Sequence, residues 1–281
     1  MFIAWTTFNP LFIEARDWFL DKIIKQGVEY ETPKRVGYVI EKVGTNSDSE
    51  AYFMVGNKKT TDIINTIAPL HKTSSNLLGL LDISELPIVI PPATKFTFNG
   101  ASGSKARIVG KSIFLEPGEG MPGDYLTRYA EQHRKYFTYY QGTFSLDTDE
   151  AWGAGVEYEI LSLTPLTIEK VILDSYVLVS ISGNTVNEGD FGVKFYIDNS
   201  PLEFDVAENL MEGIDSKSMP SPPADSTEEV AFSLKDFPIE LTGDHTLSVK
   251  VKNTSGADKS PASGSAWSVV VTLVAKYERA E

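Results

Sequence analysis

Two short words recur in this chain at one fixed distance. Gly27-Val28-Glu29-Tyr30-Glu31 returns as Gly155-Val156-Glu157-Tyr158-Glu159, and Ile40-Glu41-Lys42-Val43 returns as Ile168-Glu169-Lys170-Val171, each shifted by 128 residues. Two matches in one register point to a structural unit used twice, each copy burying its own core from the same apolar pattern. Further along, residues 80–88 align with 231–239, around Leu86-Pro87-Ile88 and Phe237-Pro238-Ile239, at a shift of 151. The change of shift places an insertion in the second half. The Pro-, Ser- and acid-rich run 212–229 is where turn-forming composition puts it, and a second length difference falls at 253–265.

Within each half the apolar runs are short and alternating: 36–43, 51–55 and 105–115, then 170–182, 192–198, 246–252 and 268–276. Turn residues punctuate them, among them Thr45-Asn46-Ser47-Asp48, Gly56-Asn57, Gly100 to Ser104 and Gly183-Asn184. Evenly punctuated strands of this kind make antiparallel sandwiches and not a parallel βαβ sheet. A helical stretch is expected before each half. Asn9 caps and Pro10 opens a first one over 11–26, whose Leu11, Ala15, Trp18, Phe19 and Ile23 recur at three- and four-residue spacing before Gly27. Asp124 caps a second, running to Gly142, with an aromatic stripe of Tyr125, Tyr129, Tyr136, Phe137 and Tyr140. The expected class is therefore all-β: two tandem antiparallel β-sandwiches of jelly-roll type, each preceded by a short helix. The boundaries are 1–26 for an N-terminal arm and helix, 27–118 for the first sandwich, 119–154 for a linker with helix and 155–281 for the second sandwich.

Composition narrows function by exclusion. The net charge of −14 comes from 39 acidic against 25 basic residues, and the basic ones are scattered, so no nucleic-acid-binding surface is expected. The chain has no cysteine, which removes disulfides, thiol catalysis and thiolate metal sites. The apolar start lacks a basic leader, and Glu14, Arg16 and Asp17 interrupt it, so no signal peptide is expected; no run of apolar residues is long enough to span a membrane.

The motifs that could carry chemistry are few. Three histidines exist, His71, His133 and His245, without a second His or close carboxylate at metal-ligand spacing. His133, one turn from Tyr129, is either a proton switch or a polar residue packed over a sandwich, and the second is the expectation. Gly100-Ala101-Ser102-Gly103-Ser104-Lys105 has the look of a phosphate loop, but strands on both sides make it a hairpin turn. Asp147-Thr148-Asp149-Glu150 and Asn46-Ser47-Asp48-Ser49-Glu50 offer clustered oxygens without the spacing of a calcium loop and read as solvated turns. Asn253-Thr254-Ser255 fits the glycosylation sequon, which matters only in a secreted chain. No catalytic, cofactor-binding or metal-binding residue is assigned, and no enzyme is expected.

With the paired words, the paired Leu-Pro-Ile and Phe-Pro-Ile strands and the closing strands at 106–115 and 269–277, the chain resembles the double jelly-roll major capsid proteins of icosahedral viruses, many of which enclose a membrane. The resemblance covers nearly the whole chain and is architectural, carried by no diagnostic motif. It implies a homotrimer whose six sandwiches form a pseudo-hexameric tile in a capsid lattice, minor capsid or penton proteins as further partners, and an internal membrane approached by the N-terminal helix. The implied location is the virion, after synthesis in a host cytoplasm. A first sandwich of only 27–118 is compact for eight strands. The alternative that follows is a phage tail, fibre or receptor-binding sandwich that recognises glycans.

Overall fold

The computed structural model describes residues 17–47, 49–63, 80–148, 150–174, 176–182, 190–202, 214–215, 232–261 and 265–280. The chain divides into two compact units, one made of residues 1–67 and 73–137, the other of 68–72 and 138–281.

The first unit opens with β1 (Asp17–Lys25), β2 (Glu29–Glu31), β3 (Val36–Thr45), β4 (Ala51–Val55) and β5 (Lys58–Ile63). It continues with β6 (Leu81–Asp82), β7 (Ile88–Ile90), β8 (Lys95–Asn99) and β9 (Lys105–Phe114). Two antiparallel sheets result, one ordered β1-β9-β3-β6 with β7 also on β3, the other β2-β8-β4-β5. Period-2 alternation supplies the facing surfaces: Leu20, Ile24, Ile40 and Ile108 from the first sheet, Phe53, Val55, Phe96 and Phe98 from the second, all buried. The Tyr38 ring meets Phe96 edge-on at 6.2 Å and ties the two sheets together. Between Ile40 and Lys42 the β3–β9 register shifts by a bulge, and Gly110 of β9 sits against it.

The opposite face of the first sheet is covered by α1 (Gly123–Glu131), with Met121 and Tyr125 packed on Val39, Val89, Ile113 and Leu115. Two side chains fasten it. Arg128 donates to the carbonyls of Pro87 (2.9 Å), Lys135 (2.7 Å) and Leu86 (3.2 Å). The buried Gln132 amide accepts from Val89 N–H at 2.9 Å and donates to Val89 C=O at 3.0 Å, standing in for a neighbouring strand.

The chain then enters β10 (Lys135–Leu146), β11 (Glu157–Leu163), β12 (Glu169–Leu173), β13 (Tyr176–Ser182), β14 (Phe191–Ile197) and β15 (Ser200–Pro201). β16 (Ile214–Asp215), β17 (Phe232–Ser233), β18 (Ile239–Thr242), β19 (Leu247–Asn253) and β20 (Trp267–Arg279) complete the second unit. Its sheets run β17-β13-β20-β12-β18, with β10 on β20, and β11-β19-β14-β15, with β16 on β14. They enclose a core of Trp152, Phe191, Phe195, Trp267 and aliphatic residues from both sheets. Asp198 and Asn199, both at positive φ, make the two-residue turn from β14 to β15.

The pairing order is shared by the two units apart from β16, which has no counterpart among the described residues of the first. β9 lies between β1 and β3, and β20 lies between β10 and the consecutive pair β12 and β13. β7 borders β3 as β18 borders β12, and β2-β8-β4-β5 parallels β11-β19-β14-β15. The word GVEYE sits at matching places: Gly27 and Gly155 both adopt φ near +70° (69° and 74°) and donate at 2.9 Å to Phe98 C=O and Asn253 C=O. The word IEKV does not: Ile40 is buried within β3 opposite Ile88, whereas the residue opposite Ile239 is Leu173, and Ile168 is exposed ahead of β12.

Both expected helices are corrected. Residues 17–25 of the first form β1, and 11–16 lie outside the described residues. The described members of the expected apolar stripe, Trp18, Phe19 and Ile23, are exposed, and the residues buried instead are Leu20 and Ile24, four apart, a spacing that suits strand alternation as well as a helix. The second helix ends at Glu131, because the Tyr-, Phe- and Thr-rich run after it favours the extended β10. That helix packs on the first sandwich and is not a leader of the second.

Candidate functional site

The sequence candidates disperse in the fold. His71 lies outside the described residues. His133 follows α1 in a cleft of about 120 Å³ lined by Val55, Lys58, Thr60, Tyr129, Ala130, Gln132 and itself. Burial, then the charges of Lys58 and Arg134, hold its pKa below the usual imidazole value, opposed by a backbone hydrogen bond with Ala130. Burial and those charges both act against the charged imidazolium. Among the described residues the lining offers no carboxylate to orient it, and the cleft holds less space than ordinary ligand pockets of about 300 Å³ or more.

His245 sits at a half-exposed turn, its Nδ1 2.6 Å from Asp198 Oδ2, while Asp198 Oδ1 accepts from Thr246 N–H at 2.9 Å. The carboxylate raises the imidazole pKa, and the Thr246 and His245 bonds lower that of Asp198. This pair fastens the β14–β15 turn to the start of β19.

The glycine loop is the β8–β9 turn: Ser47 Oγ accepts from Ala101 N–H at 2.8 Å, and Ser104 N–H bonds Ala101 C=O at 3.0 Å. Asn46 Oδ1 accepts from Lys105 N–H at 2.7 Å, and Glu150 accepts from Asp147 N–H at 2.8 Å, so these oxygens serve turns; Asp48 and Asp149 lie outside the described residues. Asn253 of the sequon is 1% exposed and donates to Trp152 C=O at 2.8 Å and Ala257 C=O at 2.9 Å, which closes it to modification in the folded chain. No group of three or more metal-holding side chains occurs among the described residues.

What the folded chain presents instead is structured surface. On the outward face of β11, β14 and β19, Glu157 receives Lys194 Nζ at 2.5 Å and Tyr196 OH at 2.8 Å, and Lys250 Nζ lies 4.2 Å from the Tyr196 ring centre. Burial alone would raise the Glu157 pKa; these hydrogen bonds and the Lys194 and Lys250 charges outweigh it and lower the value. On the first unit Arg107 grips Asp21 with two bonds, 2.9 and 2.6 Å, and this depresses the Asp21 pKa. Carboxylates with depressed folded-state pKa values stabilise the fold above their ordinary pKa and lose that contribution as pH falls through the folded one. The contribution of these two carboxylates to thermal stability is thus expected to be constant from pH 7 to about 5 and to fall below about pH 4. The combined Asp21→Asn and Glu157→Gln variant should show a shallower fall, measured by circular dichroism across that range.

Apolar side chains also stand in solvent. On β1, Trp18, Phe19 and Ile23 are 64%, 77% and 57% exposed. β1 ends its sheet, and among the described residues it has a β partner only in β9. Exposed apolar residues on an edge strand are an association surface by default.

No protein-family model matches the chain, and no curated protein matches it. Solved structures to which it is similar include the major capsid protein P2 from Bacteriophage PM2, aligned over 92% of this chain and 98% of that chain at 9% identity and a TM-score of 0.30. Infectious bursal disease virus Gx strain aligns over 94% of this chain and 74% of that one, at 10% identity and a TM-score of 0.21. The VP2 subviral particle of infectious bursal disease virus aligns over 94% and 77%, at 8% identity and a TM-score of 0.19.

Sequence reasoning missed the polar side chains that make the long-range contacts. Arg128, Gln132, Arg107 and Lys194 find partners far away in sequence, and no local spacing announces them.

Proposed function

We propose that this chain is a self-assembling structural protein, the major capsid protein of an icosahedral virus. In this proposal the two units derive from an internal duplication, and three chains form a trimer whose six sandwiches make a pseudo-hexameric tile. The supporting observation is the shared pairing order of the two units, with the word GVEYE at matching places in it. Two similar sandwiches per chain under threefold symmetry offer six near-equivalent sides, which a closed shell needs. The outward faces carry paired ions and an open strand edge in place of a primed pocket, which suits lateral contact. Expected partners are further copies of the chain, with minor capsid proteins where the tiling changes, and the expected place is the virion. Membrane contact by an N-terminal helix loses its basis over 17–25, which is strand. Among the described residues no helix is long and apolar enough to cross a membrane.

Size-exclusion chromatography with light scattering tests the proposal. The expected mass is three times the 31.0 kDa chain, with larger particles as concentration rises. Each interface should bury on the order of 1,000 Å² or more. A strict monomer across a wide concentration range would sink it.

A further inference from the structure

We propose that β1 is a homotypic docking strand, pairing antiparallel with β1 of a second copy about a twofold axis through Asp21. The inference rests on the self-assembly reading and supplies the contact by which one assembled unit meets the next.

Strand alternation sets Asp17, Phe19, Asp21, Ile23 and Lys25 on one face of β1, the face turned away from the buried Leu20 and Ile24. Read in opposite directions, that face complements itself. With Asp21 opposite Asp21, Asp17 meets Lys25 of the second copy, and Phe19 meets Ile23, each contact occurring twice by symmetry. Cross-strand pairs of opposite charge and of aromatic with β-branched residues are the ones that stabilise antiparallel ladders, while like charges directly opposite destabilise them. The one like-charged meeting, Asp21 with Asp21, is already compensated: each carboxylate is held by its own Arg107 at 2.9 and 2.6 Å, so two acids and two guanidiniums surround the axis. The same register covers the two most exposed apolar residues of the face, Phe19 at 77% and Ile23 at 57%. An edge strand of nine residues has the length to template such a ladder. A shift of the register by two residues removes the Asp17–Lys25 contact, so the charges also choose the alignment.

The test is a charge-swap cycle on the full chain. Asp17→Lys and Lys25→Glu, each alone, set like charges against each other at both ends of the ladder and should raise the concentration needed for assembly beyond the basic oligomer by about tenfold. The double variant restores opposite pairs and should return to the parental threshold. Light scattering over a concentration series reads the threshold, and circular dichroism melts check that all four proteins fold alike. Four indistinguishable thresholds, or a double variant as weak as the singles, would overturn the twofold β1 contact while leaving the proposed shell role standing. A drop in melting temperature with unchanged assembly would place the contact within one chain and equally overturn it. A parent that never associates would remove the self-assembly reading itself.

Discussion

Replacing Gly110 by alanine is expected to cost the first unit more than about 3 kcal/mol, enough to remove most of its stability. A Cβ built at Gly110 falls far inside van der Waals contact with the Val39 carbonyl oxygen, and stands 3.0 Å from Glu41 N and Ile40 Cα. All three are backbone atoms of the bulged β3, which is bound to β9 on one side and to β6 and β7 on the other. Nothing there moves without unzipping a ladder. Gly37 provides the control. A Cβ there collides with the sulfur and methyl of Met121, the far end of a flexible side chain. Gly37→Ala should therefore cost under about 2 kcal/mol, Met121 turning aside. Thermal and urea unfolding of the two variants beside the parent decides the matter; a Gly110→Ala protein that melts like the parent would refute the clash.

Trp152→Ala should destabilise the second unit by about 3–5 kcal/mol. The indole is fully buried, and its ring centre lies 4.7 Å from Phe144, 6.0 Å from Trp267 and 6.2 Å from Phe191. Its Nε1–H donates to Val156 C=O at 2.9 Å, and its backbone bonds Lys259 in both directions at 2.7 and 3.0 Å. Truncation leaves a cavity among rings that are themselves anchored in two sheets and close only partly around it. Trp152→Phe keeps a ring in place and loses the hydrogen bond, so it should fall short of the alanine cost by half or more. Because the chain has two units, unfolding is best followed by probes assigned to each, and the loss should appear in the second transition alone.

The organisation of the fold is legible in the sequence because strands and turns are local. The runs 36–43, 51–55 and 246–252 become β3, β4 and β19 almost to the residue, since alternation and turn chemistry are written in consecutive positions. The word GVEYE marks matching places in the two units for the same reason, whereas the two copies of IEKV fall at different places along their strands. Residues 17–25 mislead because Trp18, Phe19 and Ile23 fall at helical spacing although the strand leaves them exposed, and only the β9 partner, eighty or more residues away, sets which face is buried. Residues 135–146 mislead in the same way, their helical spacing of aromatics overridden by pairing with β20. The surface is less legible still. Asp21 and Arg107 are 86 residues apart, Glu157 and Lys194 are 37 apart, and ion pairs of that kind have no linear signature. Asn253 shows the converse: a perfect sequon in text, and a buried turn-maker in space.

The way Gln132 holds β7 has a practical consequence. The Val89 amide proton is shielded not by another strand but by one carboxamide at the end of a short helix. Its exchange with deuterated solvent therefore clocks the detachment of that helix, independently of whether the sandwich beneath stays closed. One amide in the first unit thus serves as a built-in gauge of local opening.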